Sequence, residues 1–217
     1  MDTQKRIIVW VSAVLVIGIT AVAAWQIAKG PKTPVVRAGT LTEVVSESDW
    51  TKGATSESKK AELVEYSDFQ CPACGMFYPI LEEIAASHKD TLSFTYRHFP
   101  LPQHKNALAA AYATEAAGLQ GKFWEMHAKI FESQDEWSET DTAEATFEKF
   151  ATELELDMAR FTTDRDSQTT KDAVEYDKET GLKSGVNSTP SFYLNGKKMA
   201  QPKSAEEFKA TIEAALK

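Results

Sequence analysis

The sequence of 217 residues predicts a mixed α/β protein, in which a strand-rich unit is split by a helical insertion and preceded by one N-terminal transmembrane helix. Three observations support this fold class. A long uncharged apolar stretch lies near the amino terminus, strand-like segments stand on both sides of the middle region, and the middle region itself has helical spacing. The hydrophobic content of 42% is enough for a sizeable core.

The amino-terminal apolar stretch follows a short tail, residues 1–6. Residues 7–28 contain no charge, and a helix of that length would reach roughly 33 Å, enough to cross the hydrocarbon layer of a bilayer. Trp10 and Trp25 lie towards its two ends, where interfacial aromatic residues are common. We predict a single membrane anchor in the lipid bilayer. The alternative is a cleaved secretory signal, because residues 21–23 offer a small-residue cleavage site; both readings export the remainder.

Residues 29–59 are rich in proline, glycine, serine and charged residues, and they show little periodicity. This composition is typical of a spacer between a membrane and a folded domain. Trp50 is expected to pack onto that domain. The domain itself is predicted to comprise residues 60–217.

The first part of the domain alternates strand and helix. A strand-like run begins at Ala61 and ends at Ser67, and the apolar spacing of three and four that follows the cysteines predicts an amphipathic helix to about His88. Residues 91–99 alternate as a second strand. Cys71 is therefore predicted at a junction between a strand and a helix.

The middle and the end of the domain complete the pattern. Residues 104–184 have the apolar spacing of successive helices, with Gly181 and Gly185 expected to close the last one. Asn195-Gly196 favours a tight hairpin between Ser191–Leu194 and Lys197–Ala200. A capping box, Ser204 with Glu207, predicts the start of a final helix.

Cys71 and Cys74 are the only cysteines, and two residues separate them. A disulfide that closes so small a loop removes little entropy from the unfolded chain, so it would stabilise the fold only slightly. At the start of a helix, unpaired backbone amides and the helix dipole favour the thiolate of the first cysteine. We therefore interpret the pair as a redox-active disulfide, with an inert buried pair as the alternative.

Composition argues against other classes of site. The net charge is -8 and no dense run of lysine and arginine is present, so nucleic acid is not expected as a partner. A zinc site would need two more ligands, and the four histidines are scattered without metal-binding spacing, so we predict no metal site and no cofactor. His98 and His127 are interpreted as structural residues.

Four segments together resemble the DsbA-like thiol–disulfide oxidoreductases. They have the order and spacing of that family and extend the likeness over residues 50–217. The segments are Val64-Glu-Tyr-Ser-Asp-Phe-Gln-Cys-Pro-Ala-Cys-Gly75, Phe99-Pro-Leu101, Gly121-Lys-Phe-Trp-Glu-Met-His127 and Gly185-Val-Asn-Ser-Thr-Pro-Ser-Phe192.

The resemblance implies a thioredoxin fold with a helical insertion, and it assigns roles that pattern alone does not. Thr189 and Pro190 would form a cis-proline loop that faces Cys71 and binds the client backbone. Glu65 would be a buried acid that carries a proton for Cys74. Without the resemblance, Pro190 reads as an ordinary strand-start proline and Glu65 as a solvent-facing charge.

The chain departs from the family inside the motif, because Ala73 stands where strongly oxidising bacterial members carry histidine. Alanine cannot donate a hydrogen bond to Cys71, so we predict a Cys71 pKa above the value of about 3.5 found in the extreme case.

The expected function is the introduction of disulfides into exported, cysteine-containing client proteins. The domain would lie on the extracytoplasmic side of the cell membrane, or be secreted or periplasmic if the apolar segment is cleaved, and a membrane redox partner would reoxidise the motif. The alternatives are a disulfide reductase or isomerase on the same scaffold, and a membrane-tethered binding or chaperone module.

Overall fold

The computed structural model describes residues 39–217. The predicted membrane anchor, residues 7–28, lies outside the described residues. Among the helices of the described range, none combines the length and the apolar character needed to cross a bilayer.

A five-stranded mixed sheet forms the centre of the fold, in the order β1-β3-β2-β4-β5. Within this sheet only β2 and β3 are parallel, and the helix that crosses over between them begins directly after Cys71 and contains Cys74. The other pairs are antiparallel. The strands are β1 Trp50–Gly53, β2 Ala61–Ser67, β3 Leu92–His98, β4 Ser191–Leu194 and β5 Lys197–Lys198.

Eight helices are present in the described range, and six of them lie within the predicted insertion, residues 104–184. They are α1 Pro72–Ser87, α2 Ala107–Gly118, α3 Phe123–Glu132, α4 Gln134–Trp137, α5 Ala143–Glu153, α6 Met158–Asp166, α7 Gln168–Ser184 and α8 Ala205–Ala215. The result is a mixed α/β fold with a helical insertion, as the sequence predicted.

Strand β1 corrects the predicted boundary between spacer and domain. It lies within the stretch assigned to the spacer, yet it pairs antiparallel with β3 at the edge of the sheet. Trp50 stacks on Phe123 with ring centroids 4.5 Å apart, and its indole nitrogen donates to Glu115 Oε1 at 2.7 Å. The strand has four residues and no apolar alternation, so only its pairing identifies it.

The carboxyl-terminal elements follow the predicted turn chemistry. Asn195 and Gly196 have φ values of 50° and 75°, as a tight hairpin requires, although β5 ends at Lys198 and not at Ala200. Ser204 caps α8 by accepting a hydrogen bond from the Glu207 amide at 3.2 Å.

The sequence predicted that Gly181 would help to close α7, and this prediction is wrong. Gly181 lies inside the helix, and Gly185 ends the helix with a φ of 85°. A Cβ atom on Gly181 would stand 2.7 Å from the Phe99 ring, so a close contact between helix and loop explains this glycine. Only one of the two glycines therefore acts as a helix terminator.

The core continues across the sheet into the insertion. One buried cluster contains both cysteines together with aromatic residues of α3 and α5, including Phe131 and Phe147. A second cluster packs α1 and α8 against the sheet. The two cysteines are therefore enclosed where the sheet meets the helical insertion.

Candidate active site

Cys71 lies at the amino-terminal cap of α1, where the extended backbone of the preceding loop becomes helical. Its amide donates to the Asp68 carbonyl at 3.0 Å, and its carbonyl accepts from the Gly75 amide at 3.1 Å. Pro72 occupies the first helical position, where its missing N–H costs no hydrogen bond. The Cys71 sulfur therefore stands at the positive end of a 16-residue helix.

The thiol of Cys71 is strongly acidified. A hydrogen bond from the Cys74 thiol is the main cause that lowers the pKa of Cys71 to about 5, and the backbone amides of Ala73 and Cys74 act in the same direction against the effect of burial. The value agrees with the prediction that a Pro-Ala motif gives a pKa above about 3.5. At neutral pH the reduced Cys71 is a thiolate.

Cys74 has the opposite character, although it lies on the same helical turn. Its side chain is fully buried, while 6% of Cys71 is exposed. Burial raises the pKa of Cys74 well above its ordinary value, and the hydrogen bond to Cys71 adds to this effect. Neither cysteine forms a disulfide in this structure. The site thus pairs one reactive thiolate with one buried, protonated thiol.

The loop before β4 closes over the Cys71 sulfur. The Thr189–Pro190 peptide bond is cis, and the Cys71 thiol faces the Thr189 carbonyl oxygen at 3.5 Å. Pro190 is buried, while Ser188, two residues earlier, is exposed. The structure therefore brings Thr189 and Pro190 against the motif, where a backbone could approach the sulfur.

Glu65 lies on β2 behind the motif and is 98% buried, which excludes the solvent-facing alternative. Ser67 Oγ donates to its Oε1 atom at 2.7 Å. Burial is the main cause that raises the pKa of Glu65 to about 8, and the negative charge of Cys71 contributes. The charge of Glu65 in turn raises the pKa of Cys74. Glu65 is therefore a protonated acid at neutral pH, electrostatically coupled to both cysteines.

Gln134, a residue of the insertion that the sequence did not single out, holds the active-site loop in place. Its Nε2 atom donates to the Phe69 carbonyl at 2.6 Å and to the Cys71 carbonyl at 3.0 Å. A Cβ on Gly75 would stand 2.5 Å from Gln134 Oε1, so only glycine fits there without displacing the amide. The glycine after the motif was the sole local signal of this contact.

A second set of contacts fixes the segment just before Cys71. Buried Asp68 accepts hydrogen bonds from the Leu101 amide at 2.8 Å and from His104 Nδ1 at 2.7 Å. Gln70 accepts from the Asn106 amide at 2.6 Å. These polar contacts join the segment before Cys71 to the start of the insertion. The geometry of that segment therefore depends on the insertion.

The remaining candidate residues lie in the core. His98 is buried with its Nε2 atom 2.9 Å from Glu115 Oε1, and His127 is enclosed by aromatic rings. Within residues 39–217, no cluster of three or more histidine, cysteine or acidic side chains has the arrangement of a metal site.

The fold and the site together define a thioredoxin-fold protein with a pair of cysteines at a helix start. A family model described as thioredoxin matches residues 53–214, and the chain belongs to this family.

Solved structures confirm the DsbA-like fold. BdbD of Bacillus subtilis in its oxidised form aligns with a TM-score of 0.70 at 23% identity, covering 83% of this chain and 99% of that one. The protein alpha-DsbA1 of Wolbachia pipientis aligns with a TM-score of 0.70 at 20% identity, covering 80% and 93%.

Among curated proteins, a Na(+)/H(+) antiporter NhaA 1 of Mycolicibacterium gilvum is 36% identical over 157 residues. That match covers 70% of this chain and 24% of the antiporter, so the chain spans about a quarter of the curated relative's length.

Proposed function

We propose that this protein is a thiol–disulfide oxidoreductase that introduces disulfides into client proteins through Cys71 and Cys74. The observation that carries the proposal is the pairing of a Cys71 thiolate, with a pKa of about 5, and a buried Cys74 whose pKa is raised. Such a pair has one good leaving group and one protected thiol.

The reaction begins with the oxidised pair. A client thiolate attacks the Cys71 sulfur, so that a client–Cys71 bond forms, the Cys71–Cys74 bond breaks, and Cys74 leaves with the electron pair. Glu65, protonated at neutral pH, supplies the proton that neutralises the Cys74 thiolate. A second client thiolate then attacks the client sulfur of the mixed disulfide and expels Cys71 as a thiolate. The client is oxidised by two electrons, which remain on the two cysteines.

The geometry around Cys71 supports a client-binding role for Thr189 and Pro190. Their loop places a backbone carbonyl 3.5 Å from the sulfur. An extended client segment could lie against that loop and hydrogen bond to its backbone while its own sulfur reaches Cys71. We assign client binding to these two residues.

The direction of electron flow follows from the stability of the thiolate. A depressed Cys71 pKa stabilises the reduced form and so makes the disulfide a better oxidant. Oxidation of clients is useful outside the reducing cytosol, which agrees with the uncharged segment at residues 7–28 as an export signal or anchor. We therefore place the domain on the extracytoplasmic side of a membrane, with cysteine-containing exported clients and a membrane redox partner that reoxidises Cys71 and Cys74.

A direct test is the equilibrium reduction potential of the full chain in glutathione buffers, together with its rate of oxidising a peptide dithiol. The proposal predicts a potential nearer to about -120 mV than to about -270 mV, and oxidation that Cys71→Ser abolishes. A potential near about -270 mV would favour the reductase on the same scaffold. Partner binding unaffected by Cys71→Ser, without any exchange, would favour a binding or chaperone module.

A further inference from the structure

A groove of about 320 Å³ opens beside the cysteine motif, between the start of α1 and the junction of α3 with α4. Because Pro72 lines this groove and directly follows Cys71 in the chain, a group bound there would lie close to the reacting residue. The disulfide exchange itself uses none of the lining side chains. They are Pro72, Gly75 and Met76 on the α1 side, and Phe131, Glu132, Gln134 and Asp135 on the insertion side.

Two carboxylates give the rim of the groove a negative charge. Glu132 and Asp135 are exposed, and neither forms an ion pair with a cation in the part of the chain that the structure describes. Lys129, the lysine nearest to them along the chain, pairs with Glu153 instead. Tyr78 donates a hydrogen bond to Glu132 Oε1 at 3.1 Å, and this neutral donor leaves the charge of Glu132 uncompensated.

The floor of the groove adds a neutral acceptor. Gln134 uses its Nε2 atom to bond the carbonyls of Phe69 and Cys71, and its Oε1 atom lies over Gly75. No donor among residues 39–217 bonds to that oxygen, and the absence of a side chain on Gly75 keeps the space in front of it open. The groove therefore presents one amide oxygen and two carboxylates, which together call for a ligand with several N–H donors.

Met76 supplies an apolar wall beside these acceptors. It is 67% exposed, although it lies on the helix that carries the motif. Methionine is flexible and polarizable, so it adapts to the shape of a bound chain. Lysine and arginine pack their methylene stems on such a surface while their charged ends stay with polar atoms. An acidic side chain would instead be repelled by Glu132 and Asp135.

We propose that this groove binds a lysine or arginine side chain of the client, about one or two residues from the client's reacting cysteine, and that Glu132 and Asp135 determine the preference. The inference rests on the proposed function, because it names the class of client. A neighbouring cation lowers the pKa of the client thiol and raises the fraction present as the attacking thiolate. The groove thereby selects clients whose cysteine is already activated.

The experiment measures how fast the oxidised full chain oxidises three dithiol peptides, which differ only in having arginine, glutamine or glutamate beside the first cysteine. Wild type is compared with Glu132→Gln/Asp135→Asn. The control, Glu206→Gln/Glu213→Gln, removes the same number of charges from exposed positions on α8. The ratio of the arginine rate to the glutamine rate is compared between proteins, because the intrinsic acidity of each peptide thiol cancels in this comparison.

The ratio for wild type at low salt should be about fivefold larger than the ratio for the groove variant, as expected from two exposed ion pairs. At about 1 M salt, where the Debye length is about 3 Å, most of this difference should disappear. The α8 control should keep the wild-type ratio. Reversing the charges with Glu132→Lys/Asp135→Lys should make the glutamate peptide react faster than the arginine peptide.

Equal ratios in wild type and the groove variant, or an unchanged peptide order after charge reversal, would overturn the inference and leave the proposed function intact. An equal loss in the α8 control would also overturn it, because net charge and not the groove would then cause the preference. If wild type oxidises none of the three peptides, the proposed function fails and the inference fails with it.

Discussion

Cys71 and Cys74 lie three residues apart on one helical turn, yet the structure gives them opposite acidities. Cys71 caps the helix, receives a hydrogen bond from Cys74 and has a pKa of about 5. Cys74 points into the core beside Glu65, and burial raises its pKa well above the ordinary value. The comparison shows that spacing alone does not determine the chemistry of the pair. A hydrogen bond from Cys74, together with backbone amides at the helix start, lowers the pKa of Cys71, whereas burial raises the pKa of Cys74.

The strongest test of this asymmetry removes each sulfur in turn. Cys71→Ser should abolish exchange, since the remaining Cys74 is buried and protonated. Cys74→Ser should keep the reactive thiolate but lose the group that resolves mixed disulfides, so client–Cys71 adducts should accumulate. Mass spectrometry of both variants after mixing with an oxidised peptide checks this prediction. Adducts on Cys74 in the Cys71→Ser variant would show that the two sulfurs are equivalent.

The next largest effect concerns Glu65 behind the pair. Its folded pKa, about 8, lies above the unfolded value of 4.5, so the folded state holds the extra proton between these two values. The contribution of Glu65 to stability is therefore fully present below about pH 4.5 and is lost as pH rises through about 8.

Comparing reduced wild type with Glu65→Gln by denaturant unfolding isolates this effect. The free energy of unfolding of wild type, relative to the variant, should fall by on the order of 4 kcal/mol between pH 5 and pH 9. Glu62→Gln, on the same strand but paired with Lys59 at the surface, is the matched control and should show no such dependence. A flat difference for Glu65→Gln would mean that the acid is ionised in the folded state.

Replacing Gln134 tests whether the helical insertion positions the loop that carries Cys71. Gln134→Ala removes hydrogen bonds to two carbonyls of the active-site loop, and it should lower the free energy of unfolding by about 1 to 3 kcal/mol and slow alkylation of Cys71. Gln120 also bonds to backbone atoms, those of Asp157, but lies away from the motif. Gln120→Ala should lose stability with unchanged Cys71 reactivity. Equal alkylation rates in both variants would contradict a positioning role for Gln134.

The smallest expected effect comes from the residue between the two sulfurs. Ala73→His would place a hydrogen-bond donor near the Cys71 thiolate and stabilise the reduced form. The reduction potential should rise by about 30 mV, which corresponds to a tenfold change in the exchange equilibrium. Ala86→His, at an exposed position near the other end of the same helix, should leave the potential unchanged. A fall in potential for Ala73→His would show that the added ring disturbs the site more than it stabilises the thiolate.

Local sequence signals predicted the elements that carry the motif. Apolar periodicity identified β2, α1 and β3, and Asn195-Gly196 identified the hairpin, because these features depend on neighbours along the chain. Strand β1 was missed because four residues paired to a distant strand have no periodicity to detect. The predicted membrane segment lies outside the described residues and remains a prediction.

In the site too, the sequence predicted what depends on neighbours along the chain and missed what depends on contacts between distant residues. The strand-to-helix position of Cys71 follows from local pattern, whereas the contact of Thr189 with its sulfur joins residues 118 positions apart and was expected only from the family resemblance. Gln134 gave no signal of its own, since its contacts with Phe69 and Cys71 depend on the packing of the insertion. The groove beside Cys71 is likewise a property of the fold, because it forms only where α1 meets the insertion.

The most direct test of the account is a titration of thiolate absorbance on the reduced full chain, with Cys71→Ser as the reference. The account predicts that one thiolate forms with a midpoint near pH 5, that this step is absent in the variant, and that Cys74 stays protonated beyond its ordinary range. Two thiolates forming together near the free-cysteine pKa of about 8.5 would contradict it.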